Sequence, residues 1–302
     1  MNHELGMPLF AGAILLVAGS CAWASVANDA QALIAAHQLP LAAQEVRAAQ
    51  AKQGANPEIA AALSWLARGA LQERQLAQAD SYATEARTMA LRVLGVRNLD
   101  ADPWLPTALG AAIEVHSQVL AARGQKAEAL AFLHQELNSW SRTSLNERIQ
   151  KNINLLSLEG RPAPPLDGFN LGSLKGRPVI LFFWAHWCPD CKADAPIIAG
   201  VRKRFASQGL TVVGPTRLYG YAAGGDPANP AAEKQYIEQI RHRYYAALEG
   251  MPTPISAANF EAYGASTTPT LVLLDRAGIV RLYHPGAMTE EELKRGVQAL
   301  LR

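Results

Sequence analysis

Phe183-Trp184-Ala185-His186-Trp187-Cys188-Pro189-Asp190-Cys191-Lys192 joins a strand to a helix. It closes a continuous apolar run, Val179 to Trp184, which at that length reads as a strand buried on both faces. Residues Cys188 to Ala206 then read as a helix, so Cys188 falls at a helix start. That position supplies free backbone N–H groups and the positive end of the helix dipole. Both stabilise a thiolate, which makes Cys188 the candidate nucleophile. Cys191 lies one turn on, beneath it and more buried, where it can attack a mixed disulfide and release the partner. Pro189 is tolerated because the first helical turn needs no N–H partner there.

Downstream, strands alternate with helices. Leu210 to Val213 reads as a strand and Glu233 to Ala247 as a helix. Thr270 to Leu274 and Ile279 to Tyr283 are strands joined by the turn Asp275-Arg276-Ala277-Gly278. Thr289 caps a last helix to Leu301, and Glu290 to Glu292 suit its positive end. The order is β-α-β-α-β-β-α over residues 179–302. Upstream, 159–178 is crowded with Gly160, Pro162, Pro164, Pro165, Gly168, Gly172 and Gly176, so no helix crosses it. Residues 28–158 are Ala-rich and all-helical by periodicity. Within them His37-Gln38-Leu39-Pro40-Leu41-Ala42-Ala43, Arg74-Gln75-Leu76-Ala77-Gln78-Ala79-Asp80 and Arg123-Gly124-Gln125-Lys126-Ala127-Glu128-Ala129 each follow one apolar helix and open another. This resembles tetratricopeptide helical hairpins, with Val96 to Trp104 inserted between the second and third pairs. A plain Ala-rich bundle is the other reading.

Trp-Cys-x-x-Cys-Lys, with Pro196 five residues past the second cysteine, resembles the thioredoxin superfamily, and within it the exported TlpA/ResA-like group. The resemblance covers about residues 162–302. It implies an α/β thioredoxin fold after an all-α helical-hairpin repeat domain. It implies a helix kink at Pro196 and a cis-proline loop at Thr267-Thr268-Pro269-Thr270 facing the cysteine pair, with Thr268 as a substrate contact and Pro269 setting the loop. Asp194 holds the position at which that group often carries an acidic residue, about one turn from Cys191, where it can pass a proton. Trp187 is expected to line the substrate groove. Phe182 stands where many thioredoxins bury an Asp, so a proton relay falls to Asp194, water or the partner. Asp190 helps the helix start but repels a thiolate, at ~7 Å and an effective dielectric of 20 by about 2 kcal/mol before screening. Pro189 and Asp190 therefore both bear on the redox potential.

The 302 residues suggest about two domains. The net charge of +2 and the scattered basic residues, with no dense run of Lys and Arg, point to no nucleic-acid partner. Leu5 to Ala27 is uncharged, with Ala22-Trp23-Ala24 fitting a cleavage rule, so residues 1–27 read as an export signal. An uncleaved membrane anchor and acylation at Cys21 are the other readings of that segment. All three place the body in a periplasmic or other extracytoplasmic space, which permits disulfides. Cys188 and Cys191 then remain as a pair too close in sequence to staple a fold, so their use is chemical.

The leading reading is an exported oxidoreductase that reduces protein disulfides, drawing electrons from an upstream thiol or membrane donor, with no cofactor and no metal. Oxidation or isomerisation is the alternative direction. A peroxidase is disfavoured because Ala185 stands where peroxiredoxins carry Thr. Outside the enzyme class there are two alternatives: a partner-binding helical module with an accessory redox domain, and a copper or zinc chaperone using the pair, which His186 could join. Tyr219, Tyr221, Tyr236, Tyr244 and Tyr245 punctuate the segment after the second strand and form either packing or a partner surface. His284 reads as a plain loop histidine.

Overall fold

A computed structural model describes residues 25–301. The leader reading, with Cys21, lies almost wholly outside the described residues. Among the described residues no helix is long and apolar enough to cross a membrane.

The first part is helical throughout: α1 (Val26–Ala35), α2 (Leu39–Gln53), α3 (Pro57–Gln72), α4 (Leu76–Leu94), α5 (Leu105–Ala122), α6 (Lys126–Trp140) and α7 (Asn146–Ser157). Each of the three compared segments turns one helix into the next: α1 into α2, α3 into α4, α5 into α6. The turns are built alike. His37, Arg74 and Gly124 adopt left-handed φ of 58°, 59° and 81°, each followed by a Gln. The N–H of Gln38 donates to Leu33 O and that of His37 to Ile34 O, and the same pair of bonds recurs at Gln75/Arg74 and Gln125/Gly124. These are helix C-caps that satisfy the last free carbonyls. The segment from Val96 to Trp104 holds a short 3-10 turn, Leu99–Ala101, before α5 begins. The core rests on α3, whose Ile59, Leu63 and Leu66 are fully buried with five alanines around them. Small side chains let the neighbouring helices approach closely. At Gly69 an added Cβ would collide with Ile34.

The second part holds β1 (Val179–Phe183), α8 (Pro189–Arg204), β2 (Thr211–Val213), α9 (Pro230–Tyr244), α10 (Ala257–Tyr263), β3 (Thr270–Leu274), β4 (Val280–Pro285) and α11 (Glu290–Leu300). The sheet order is β2-β1-β3-β4, with β1 and β2 parallel and the other pairs antiparallel. β1 is buried at every position, because both of its faces are covered. Ile180 and Phe182 pack with α8 and α11, while Leu181 and Phe183 pack with Phe260 and Tyr263 of α10. The period of two along the strand divides the core in this way. The edge strand β4 is covered by the connector: Gly160 N–H donates to Val280 O at 2.8 Å and Val280 N–H to Arg161 O at 2.9 Å. Thr289 forms a capping box with Glu292 at the start of α11.

Two elements differ from the sequence expectation. Helix α9 starts earlier than Glu233, at Pro230, because the Asn229 side chain accepts the N–H groups of Ala231 and Ala232. Helix α10 adds an element to the expected order; its seven residues are too few for a periodic signal, although Ser256 and Gly264 punctuate its ends.

The two parts meet at α10 and α7. Gly264 caps α10 in a left-handed conformation (φ 58°), and a Cβ there would run into the backbone of Gln150 and Lys151. Asn154 donates to Ala262 O at 3.3 Å, Arg217 pairs with Glu147, and Glu159 accepts the N–H of Tyr283 at 3.1 Å.

Candidate active site

The chain leaves β1 at Phe183 and is pinned at once to the end of β2. Trp184 N–H donates to Pro215 O at 3.1 Å and its indole N–H to Gly214 O at 3.0 Å. Thr216 Oγ1 donates to Trp184 O at 2.7 Å. These bonds fix where the next turn places Cys188, which is the N-cap of α8. Cys188 and Cys191 form a disulfide with Cα atoms 5.3 Å apart. Cys191 N–H donates to Cys188 Sγ at 3.1 Å, so a first-turn amide points at the sulfur that would carry charge after reduction.

The expected difference in burial between the cysteines is absent in this oxidised form. Cys188 is 1% exposed and Cys191 0%. The cause is the opposing loop: the Thr268–Pro269 bond is cis, and Thr268 O lies 3.4 Å from Cys188 Sγ. Thr270 Oγ1 donates to Thr267 O at 2.6 Å and Gly286 N–H to Pro269 O at 2.8 Å, so both strands β3 and β4 brace the loop. Thr268 Oγ1 is buried without a partner.

The other expected site residues gather around this pair. Pro189 and Asp190 are exposed at the start of α8. Trp187 is 46% exposed, its ring edge-on to Tyr219 at 5.6 Å. Asp194, one turn past Cys191, is 5% exposed rather than on the surface of the helix. Its Oδ2 has no hydrogen-bond partner. Burial pushes its carboxyl up to about 6; Asp190 adds to the rise, while the Met288 N–H and His284 oppose it. His284 sits in β4, near enough to Asp194 to act on it, and its Nδ1 lies 3.2 Å from Gly286 O.

A second layer escaped the sequence reading. His186, two residues before Cys188, is fully buried, with Nε2 3.1 Å from Glu233 Oε1. Glu233 also accepts the N–H of Tyr219 at 2.5 Å and of Gly220 at 2.8 Å. Tyr219, Tyr221 and Tyr236 stand edge-on to the imidazole at 5.3 to 5.4 Å. Burial lowers the His186 pKa, and Glu233 opposes this. Three of the five tyrosines thus pack around His186, and Tyr245 packs against Phe182 and Trp184. Beyond Tyr221 the segment runs out to an exposed tip, Ala223 to Pro227, closed by Ala222 N–H to Asp226 O at 2.8 Å. Among the described residues no group of three or more His, Cys, Asp or Glu side chains is placed to hold a metal ion.

A strand, a helix opened by a CxxC disulfide, and a facing cis-proline loop on a β2-β1-β3-β4 sheet agree with the family model that matches residues 172–300. Residues 172–300 are a thioredoxin-like domain. Its relatives carry matching names. The thiol-disulfide oxidoreductase ResA of Geobacillus thermodenitrificans is 25% identical over 150 residues, 48% of this chain and 72% of its own length. The thiol:disulfide interchange protein DsbE of Xylella fastidiosa is 27% identical over 155 residues, 48% of this chain and 70% of its own. A solved thiol:disulfide interchange protein of the thioredoxin family from Chlorobium tepidum is 26% identical, covering 47% of this chain and 97% of its own, at a TM-score of 0.36. The chain is an enzyme of the thiol–disulfide oxidoreductase kind, and its thioredoxin-like domain holds the Cys188–Cys191 disulfide.

Proposed function

We propose that this protein is an exported reductase of disulfides in partner proteins, with Cys188 as nucleophile and Cys191 as resolving thiol. The observation that carries the reading is the Cys188–Cys191 disulfide at a helix start, facing the Thr268–Pro269 loop. In the reduced protein the Cys188 thiolate attacks one sulfur of the client disulfide. A mixed disulfide forms and the other client sulfur leaves as a thiolate. The Cys191 thiolate then attacks Cys188 Sγ, the Cys188–Cys191 bond forms, and the client leaves with both sulfurs reduced. Two electrons pass to the client, and an upstream thiol or membrane donor must restore them.

Asp194 takes the Cys191 proton before resolution. A carboxyl at about 6 is matched to that task near neutral pH, since it is largely ionised yet basic enough to accept a proton. Trp187 supplies the exposed apolar contact for the client, and the Thr268–Pro269 loop holds the client backbone beside Cys188. Asp190 and Pro189 set the potential through the charge and backbone at the helix start. His186 and Glu233 are positioning residues, holding the 219–220 backbone against the motif. The working parts in this reading are a leader (1–27), a helical unit of hairpin repeats (28–158), a connector (159–178) and the redox unit (179–302).

The test is the reduction potential of the Cys188–Cys191 couple, measured against glutathione in the mature chain. A value near −270 mV, the thioredoxin end of the scale, supports a reductase. A value near −120 mV makes the protein a disulfide donor and overturns the direction proposed.

A further inference from the structure

Beside the cis-proline loop lies a groove of about 570 Å³ whose walls come from both parts of the molecule. Trp65, Arg68, Glu114, Arg148 and Lys151 line it from the helical side, and Thr267 from the loop, one residue before Thr268. Its charges do not balance. Arg148 reaches Glu114 at 2.9 Å, Lys151 at 3.1 Å and Arg68 at only 3.4 Å, so three cations share one carboxylate. Among the described residues lining the groove no other acidic side chain is present.

The cluster is built in rather than scattered over the surface. The side chains of Lys151, Arg148 and Arg68 are 12%, 19% and 29% exposed. Arg148 lies over Gly110, where a Cβ would collide with its guanidinium. Arg68 stacks over the Trp65 ring at 4.7 Å. The cations hold the Glu114 carboxyl down to about 2, so it stays ionised and is already fully committed to them. Two half-buried positive charges without a countercharge are costly, and an incoming carboxylate relieves that cost. Guanidinium groups present a fork that fits carboxylate oxygens.

We infer that this groove receives an acidic segment of the client polypeptide adjoining its reactive cysteine, so that the helical part selects substrates for the redox pair. The inference rests on the oxidoreductase reading above. A client chain laid along Thr268 passes Thr267 next and enters the groove. Its acidic side chains then lie close in sequence to that cysteine.

The test uses the full mature chain, pre-reduced, and two fluorogenic peptide disulfides. They differ only in carrying Asp-Glu-Asp or Asn-Gln-Asn beside the cysteine. The acidic peptide is expected to react about 10-fold faster at low salt, with the preference shrinking in 0.5 M salt. Arg68→Gln is expected to bring the ratio close to one and leave the neutral peptide's rate unchanged; Lys151→Gln is an independent second variant. Equal rates in the wild type, or a preference that survives both variants, overturns the inference. Binding of the acidic peptide with serine in place of cysteine, followed by fluorescence anisotropy, separates the two readings. If neither peptide is reduced but the serine peptide binds in an Arg68-dependent way, the groove stands and the oxidoreductase reading falls. If both are reduced alike and the serine peptide does not bind, the oxidoreductase reading stands and the groove falls.

Discussion

The helical part and the thioredoxin-like part distribute their unpartnered buried polar atoms differently. In the helical part Glu114 meets three cations, and Glu136 meets Arg87 at 2.5 Å and the Trp140 indole at 2.9 Å, while the unpartnered atoms Glu58 Oε1, Arg87 Nε and Asn152 Oδ1 lie scattered on three helices. In the thioredoxin-like part Glu233 is as well supplied, with three partners, but unpartnered atoms gather near the disulfide. Asp194 Oδ2, His186 Nδ1 and Thr268 Oγ1 have no hydrogen-bond partner, and each lies within a few residues of Cys188, Cys191 or Pro269. Pairing a buried charge fixes a structure, whereas leaving it unpaired keeps its proton affinity adjustable at some cost in stability. The unpartnered atoms thus lie scattered in the helical part and clustered near the disulfide in the other.

The largest effect expected is at the unpaired end of this comparison. Cys188→Ser abolishes turnover of a protein disulfide, by at least about a thousand-fold, with the melting curve of the chain little changed. Cys191→Ser instead accumulates a client joined to Cys188, visible as a dithiothreitol-sensitive band on a non-reducing gel. Loss of activity in neither variant would sink the catalytic assignment.

Next in size is the joint between the two parts. Gly264→Ala forces a side chain with φ of 58° against the α7 backbone, which cannot yield as a side-chain tip would. It is expected to cost about 3 kcal/mol or more in denaturant unfolding. A single cooperative transition in the wild type that splits into two in this variant shows that the joint couples the parts. An unchanged curve shows that it does not.

The recognition of these features from sequence was uneven for physical reasons. Val179 to Lys192 was legible because strand, helix start and cysteine spacing are local patterns. The three helical turns were legible because each segment follows one apolar helix and opens another with small residues. Glu233 was not, since it reaches His186 across 47 residues and no periodicity marks that pairing. The burial of Cys188 depends on the covering loop at Thr268, and the groups that act on Asp194 include Met288 and His284, all remote in sequence. The groove cations come from two helices, α3 and α7, and signal nothing until those are packed.

Asp194→Asn sharpens the contrast in the opposite direction, as a stabilising change. The folded pKa of about 6 lies above the ordinary carboxyl value, so the native state binds the extra proton between the two. Stability therefore falls as pH rises from about 4 to 6 and stays lower above that. The amide removes this penalty, and at pH 7 the variant is expected to gain about 1–2 kcal/mol in denaturant unfolding. In stopped-flow traces its resolution step is expected to slow about 10-fold and lose its inflection near pH 6. A variant less stable at pH 7, or one that keeps the inflection, removes Asp194 from the proton path.

The smallest effect belongs to the repeated turns. His37→Gly and Arg74→Gly place glycine where Gly124 already stands and relieve a left-handed conformation. Each is expected to raise stability by under about 1 kcal/mol, because glycine's greater chain entropy offsets part of the relief. Thermal melts that move downward instead would show that these side chains contribute packing.

The exposed tip from Ala223 to Pro227 lies beyond the last bond that ties this segment to the motif. Trp184, Thr216 and Glu233 hold residues 214 to 220, and the tip is closed only on itself. For protein engineering it is a splice point: a tag, a fluorophore-bearing loop or a new pair of termini placed there leaves those anchoring bonds in place while staying on the same segment as Tyr219 and Tyr221.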